Sequence, residues 1–200
     1  MKTIMNISIV IIFHLSNAAA LTDLSSLPPK VLVAGNEDEV SIQSVIKKKP
    51  VLIVVGSHDS LVIVNELPKA WLKKGWSIEA EQFISVAAVS RAPWPIRKWI
   101  IPSKLKELKE KRDNALSEQI PDIYKSPLII DFDGSFIKAL GINKIGKADF
   151  AAFVIINDGT IKEIYKNAIN ANSGSEEAKQ ALIEKEALAV IEAANKDMDQ

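Results

Sequence analysis

The chain has 200 residues, 48% hydrophobic and 25% charged, with 8 Gly and 9 Pro, a composition that excludes a disordered or low-complexity chain and fits one folded domain. Lys+Arg and Asp+Glu are 25 each, so there is no basic excess to hold a nucleic acid. Cysteine is absent and only two histidines occur, which removes disulfides, thiolate metal sites, thiol redox chemistry and multi-histidine metal sites together.

Met1-Lys2-Thr3 places one basic residue at the start. An apolar stretch runs from Ile4 to Leu15, and Ser16 to Ala20 closes it with alanine at positions 18 and 20. This succession predicts a secretory signal peptide over residues 1–20, cut after Ala20, followed by one domain over residues 21–200. The alternatives are a buried first element or a retained anchor, but the run falls short of the roughly 20 apolar residues a bilayer span needs. No cysteine follows the leader, so lipid attachment is excluded. Cleavage removes Lys2 and His14 and leaves His58 as the one histidine of the mature chain. Export without cysteine points to a bacterial periplasm, with no stable membrane insertion after leader removal.

Leu27 to Val33 reads as an entry loop and a short edge strand, since proline is tolerated there. Asn36 to Glu39 is an acidic turn. Val40 to Ile46 fits either strand or helix, and Lys47 to Lys49 marks a solvated corner. Pro50 to Gly56 is continuously apolar and β-branched, the pattern of a strand buried on both faces. Ser57-His58-Asp59-Ser60 is a polar loop, with Asp59 or Ser60 as the cap of a helix over Leu61–Lys74. Pro68 is expected to kink that helix and Gly75 to close it.

Phe83 to Val89 is a second buried strand. Arg91 to Pro102 reads as a Trp- and Pro-rich loop, and Ser103 to Gln119 as a polar helix. Leu128 to Asp131 is a third core strand, turned by Asp133-Gly134 into a short helix over Phe136–Leu140. Phe150 to Ile156 and Ile161 to Tyr165 form a hairpin around Asn157–Thr160, which carries the Asp-Gly signal. Asn170 to Ser175 is a polar loop. Ser175 to Ala194 is the last helix, with Ile183, Ala187, Val190 and Ala194 on one face. No repeat or second domain is evident. Strand–helix–strand alternation demands parallel strands with crossovers, and the closing hairpin adds antiparallel strands. The product is an α/β sandwich of three layers, a mixed central sheet with helices on both faces.

Three segments in this order, PVLIVVGSHDS, SPLIIDFDGSFIKALGI and FAAFVIINDGTIKEIY, resemble the thioredoxin-like fold in its peroxiredoxin-related form. Over Pro28 to Ala194 the chain is most similar to YtfJ-type exported proteins, which carry a leader and lack the redox cysteines. The resemblance implies a fold and a compartment but no activity. Redox members carry Cys-x-x-Cys at a helix N-terminus, where the free N–H groups lower a thiol pKa. The resemblance sets those positions on Ser60 and Ile63, and the facing cis-proline on Phe150. With serine and isoleucine there, thiol–disulfide exchange and thiol peroxidase chemistry are not expected.

Leu128 to Ser135 also resembles the Asp-x-Asp-Gly-Thr motif of haloacid-dehalogenase phosphatases, in which the first Asp attacks phosphorus and both hold Mg²⁺. Asp131 and Asp133 would take those roles. Yet the motif lies late in the chain, and the downstream Lys and acidic pair are missing. An ordinary turn is the simpler reading. Exposure of both carboxylates beside an open cleft, at the end of a central parallel strand, would favour the enzyme. Gly141 to Ala148 approaches a P-loop, but Ala148 cannot bind Mg²⁺ where Ser or Thr is required, so it reads as a basic loop. A calcium loop from Asp131 lacks its later Gly and Glu.

His58-Asp59 sits on the loop where this fold usually works, as a candidate proton shuttle or as a solvated, helix-capping turn. Arg91, Trp94, Arg97 and Trp99 are what a protein-interface hot spot is made of, although packing of their loop onto the domain is the first expectation. The sequence thus predicts a non-catalytic periplasmic interaction protein, without cofactor or metal. Its partner would be a protein or small ligand, and neither nucleic acid nor an inserted membrane segment is expected. The alternative is a metal-dependent phosphatase using Asp131 and Asp133.

Overall fold

The computed structural model describes residues 22–36, 38–57, 59–75, 79–169 and 175–198. The predicted leader over 1–20 and His58 lie outside the described residues.

Eight strands form one sheet: β1 (Thr22–Asp23), β2 (Lys30–Val33), β3 (Val40–Ser41), β4 (Val51–Gly56), β5 (Phe83–Ala88), β6 (Leu128–Asp131), β7 (Asp149–Ile155) and β8 (Thr160–Ala168). Their order is β1-β8-β7-β4-β5-β6-β2-β3. The helices are α1 (Ile42–Val45), α2 (Leu61–Lys73), α3 (Trp94–Trp99), α4 (Ile101–Leu116), α5 (Ser135–Ala139) and α6 (Glu176–Met198). β4, β5 and β6 run parallel, joined through α2 and then through α3 and α4. β7 lies antiparallel to β4 and forms the hairpin with β8. This strand–helix–strand core, completed by a hairpin and a closing helix, is the thioredoxin-like α/β arrangement that the sequence resembles.

β4 sits at the centre because all six of its residues are apolar or glycine, and each is buried. Alternate side chains enter opposite layers, as a two-residue period requires. Leu52 and Val54 pack with Phe150, Val154 and Phe83 against Ile63, Leu67 and Trp71 of α2 and Val190 and Ile191 of α6. Val51, Ile53 and Val55 face the other layer, with Phe136 and Ile137 of α5 and Ile42 of α1. A third cluster seats α4 through Leu105 against Ala87 and Ile130.

Three expectations need correction, and one left open is settled. β2 is not an edge strand: it pairs with β6 through Leu32↔Ile130 and with β3 through Lys30↔Ser41, so the two-residue β3 takes the edge. Val40 to Ile46 divides into a strand residue pair and one helical turn. β8 continues to Ala168, well beyond Tyr165. Most significantly, the Trp- and Pro-rich segment is helical: Pro95 and Pro102 stand in the first turns of α3 and α4, where a missing N–H costs nothing. Among the described residues no helix is long and apolar enough to cross a membrane.

Candidate functional site

The C-terminal ends of the parallel strands β4, β5 and β6 lie side by side and carry Ser57, Asp59 and Ser60, the entry to α3, and the Asp131–Gly134 turn. Every candidate site residue among the described residues falls at this end.

Ser57 and Ser60 are buried. The Ser60 hydroxyl accepts from the Ser57 N–H at 2.8 Å and donates to the Asp149 carbonyl at 2.6 Å. It therefore makes no side-chain cap on α2. The capping role expected of it fails because its backbone is already helical rather than extended, and its oxygen accepts the Ser57 N–H instead of one from the first turn of α2. The Ser57 hydroxyl points at the carbonyls of Gly146 and Lys147, each at 2.5 Å. The Asp59 N–H donates to the Lys147 carbonyl at 2.9 Å. Close approach of this loop explains Gly56, where a Cβ would sit 3.2 Å from the Ser60 carbonyl.

The segment bound by the 57–60 loop is thus 146–149. Most of it is the basic loop over residues 141–148, and only its Gly-x-x-Asp spacing marks it. The Asp149 carboxylate accepts the Gly146 N–H at 2.5 Å and closes the turn. Phe150, set by resemblance at the facing position, is instead the β-ladder partner of Gly56 and lies in the core. Ile63 is also fully buried. Replacing Ser60 by Ala is expected to leave the Ser57 N–H and the Asp149 carbonyl unpaired in the interior. The loss should be about 1–3 kcal/mol, read as a lower urea midpoint with an unchanged m-value.

Asp131 ends β6, which lies inside the sheet, and an open groove of about 610 Å³ runs beside it, lined also by Lys30, Glu39 and Asp133. The two carboxylates are not exposed together, however. Asp131 is buried, and its oxygens accept N–H groups of Gly134 at 3.1 Å, Phe136 at 3.2 Å and Ile137 at 3.1 Å. These are the open N–H groups at the start of α5. Gly134 supplies the left-handed turn, φ 82°, that brings them round. Burial pushes the Asp131 carboxyl above the ordinary range, against the opposing pull of the three N–H groups, and the Asp133 charge adds to the rise. Asp133 is exposed and accepts the Ser135 N–H at 2.9 Å. The Ser135 hydroxyl and N–H hold its carboxyl below the ordinary range. Among the described residues no three acidic or histidine side chains gather to hold a metal ion.

Arg91, Trp94 and Trp99 are exposed, and the expectation that their segment packs onto the domain is overturned. Trp94 is 60% and Trp99 70% exposed, with Ile96 and Ile100 also open. Arg97 alone of the four turns inward, donating to the carbonyls of Ser90 at 3.0 Å and Phe132 at 2.6 Å. It pins α3 across the ends of β5 and β6. Lys98 stands 5.2 Å from the Trp94 ring centroid and 5.3 Å from that of Trp99, within cation–π range of both. Ile96, between the two tryptophans, and Ile100, just after the second, extend this exposed face, and their placement beside tryptophan is its visible signal in the sequence.

No family model and no curated protein matches the chain. Among solved structures, an uncharacterised conserved protein from Geobacillus kaustophilus is similar at 14% identity and TM-score 0.46, over 83% of this chain and 79% of that one. A thioredoxin-like protein from Porphyromonas gingivalis is similar at 15% identity and TM-score 0.36, over 82% and 92%. A thiol-disulfide isomerase from Corynebacterium glutamicum is similar at 14% identity and TM-score 0.37, over 84% and 96%. The fold assignment rests on the strand order and connections described above.

Proposed function

We propose that the protein is an exported, periplasmic interaction protein, of the YtfJ type, built on a thioredoxin-like fold without a redox centre, and that α3 is its working surface. The observation that carries this reading is a contrast at one end of the sheet. The hydroxyls of Ser57 and Ser60 and the carboxylate of Asp131 are all bonded to backbone, so they hold the loops in shape. Beside them α3 presents two tryptophans and two isoleucines to solvent. Exposed tryptophan set among basic residues is the composition of a binding hot spot. Arg97 braces this surface through the carbonyls of Ser90 and Phe132.

The test is a photo-crosslinking residue at position 96 in cells that export the full chain, with position 124, which is more exposed, as the control. Crosslinked product is expected from position 96, on protein carrying an intact mass that begins at Leu21. Position 96 no more reactive than position 124 would remove α3 as the working surface. A mass retaining Met1 to Ala20 would mean an uncleaved leader.

A further inference from the structure

We propose that α3 docks on an anionic lipid surface, an inference that rests on α3 being the interaction surface and names its partner. From Arg91 to Lys106 the chain carries five basic residues and not one Asp, Glu, Asn or Gln. Since the whole chain is neutral, this is a local concentration of positive charge. A protein-binding patch ordinarily has a mixed polar rim around its apolar centre. Lys104 and Lys106 pair with Glu107 and Glu110 on α4, and Arg97 is bonded inward, so the charge beside the exposed rings is that of Arg91 and Lys98, and its complement is a surface of phosphates.

The apolar part has the matching chemistry. Tryptophan prefers the headgroup level of a bilayer, with its ring in the apolar boundary and its N–H in the wet layer. Lys98 stands within reach of both indoles, so the cation and the two rings share one face. Short segments with Trp and Ile on one side and Lys and Arg beside them lie in the interface plane without spanning it. The patch is bounded. At Ile100 the helix axis breaks, and beyond it Leu105 turns into the core. Arg97 fixes α3 from beneath, so the exposed side chains stand on a rigid base.

The experiment uses the purified full chain with phosphatidylcholine vesicles, with and without phosphatidylglycerol, read by co-sedimentation and by the blue shift of tryptophan emission. Binding is expected only with phosphatidylglycerol, and it should weaken as salt is added. The double variant Trp94→Ala with Trp99→Ala should weaken it about tenfold, and Arg91→Gln with Lys98→Gln about thirtyfold, because each Lys or Arg near an anionic surface contributes a factor of about five. All four side chains are exposed, so melting temperatures should be unchanged, and this is measured alongside. Failure to bind phosphatidylglycerol vesicles overturns the inference. So does binding that neither double variant weakens, which would report the leader. A crosslink from position 96 to a protein or to a second copy, without vesicle binding, overturns the lipid partner and leaves the interaction surface standing. Silence in both experiments removes both.

Discussion

Phe150→Ala is expected to lower stability by about 3–5 kcal/mol, the range for emptying a phenylalanine site in a packed core. Phe150 is fully buried between β4, α2 and α6, and its ring stands 5.8 Å from that of Tyr165. Little around it can collapse: its neighbours on the sheet are Gly56 on β4 and Asn167 on β8, with backbone paired on both sides. Phe150→Pro is the sharper variant. In redox proteins of this fold a proline stands before the strand, facing the dithiol loop. If Phe150 held that place, proline would be accepted. Here the facing residues are 146–149, and Phe150 lies inside a doubly paired strand, where proline removes a donor and strains the ladder. The proline variant should therefore be at least as damaging as the alanine one. Urea unfolding of both decides the matter, and a proline variant within about 1 kcal/mol of the parent would restore the register that the resemblance implies.

The core of the fold is plain in the sequence because its signals are local. PVLIVVG is too uniformly apolar to be anything but a doubly buried strand, and the Asp-Gly turn specifies the β7–β8 hairpin. The pieces that were misread depend on partners distant in sequence. Ser60 has the chemistry of a helix cap, but its oxygen accepts the Ser57 N–H, and the hydroxyl is held in that place by the Asp149 carbonyl, 89 residues later. Arg112 reads as one more charge on a polar helix. In the fold its guanidinium is buried, bonded to Asp113, to the Ser126 carbonyl at 3.1 Å and to Ser85 at 3.3 Å. The prolines of residues 93–102 suggested a loop because proline breaks helix interiors, while two of them occupy helix starts, where they do no harm. Exposure of Trp94 and Trp99 was the least legible feature. Tryptophan is usually buried by its own domain, and nothing within a local window tells a core tryptophan from a docking one.

Asp131→Ala is expected to cost about 2–4 kcal/mol at neutral pH, because it leaves the N–H groups of Gly134, Phe136 and Ile137 without their acceptor. Asp131→Asn keeps one accepting oxygen but turns an NH₂ group toward a backbone donor, so a smaller loss, about 1–3 kcal/mol, is expected. The pH dependence separates the two effects of the carboxylate. Burial raises its pKa in the folded state above the unfolded value. The folded protein therefore holds this proton more tightly than the unfolded chain. Stability from that difference is fully present below the ordinary carboxylate pKa and is lost as pH rises through the raised one. The asparagine variant cannot titrate at this position. The parent's advantage over it should accordingly shrink as pH is taken from acid to neutral, in urea midpoints measured for both proteins. A gap that widens instead would mean that the three N–H groups outweigh burial and that the carboxylate is held as an anion. The same pair of proteins tests phosphatase chemistry directly. With Asp131 tied into the start of α5, hydrolysis of an aryl phosphate with Mg²⁺ should show no turnover that the asparagine change abolishes. Turnover in the parent that disappears in a folded asparagine variant would make Asp131 a nucleophile and overturn the non-catalytic reading.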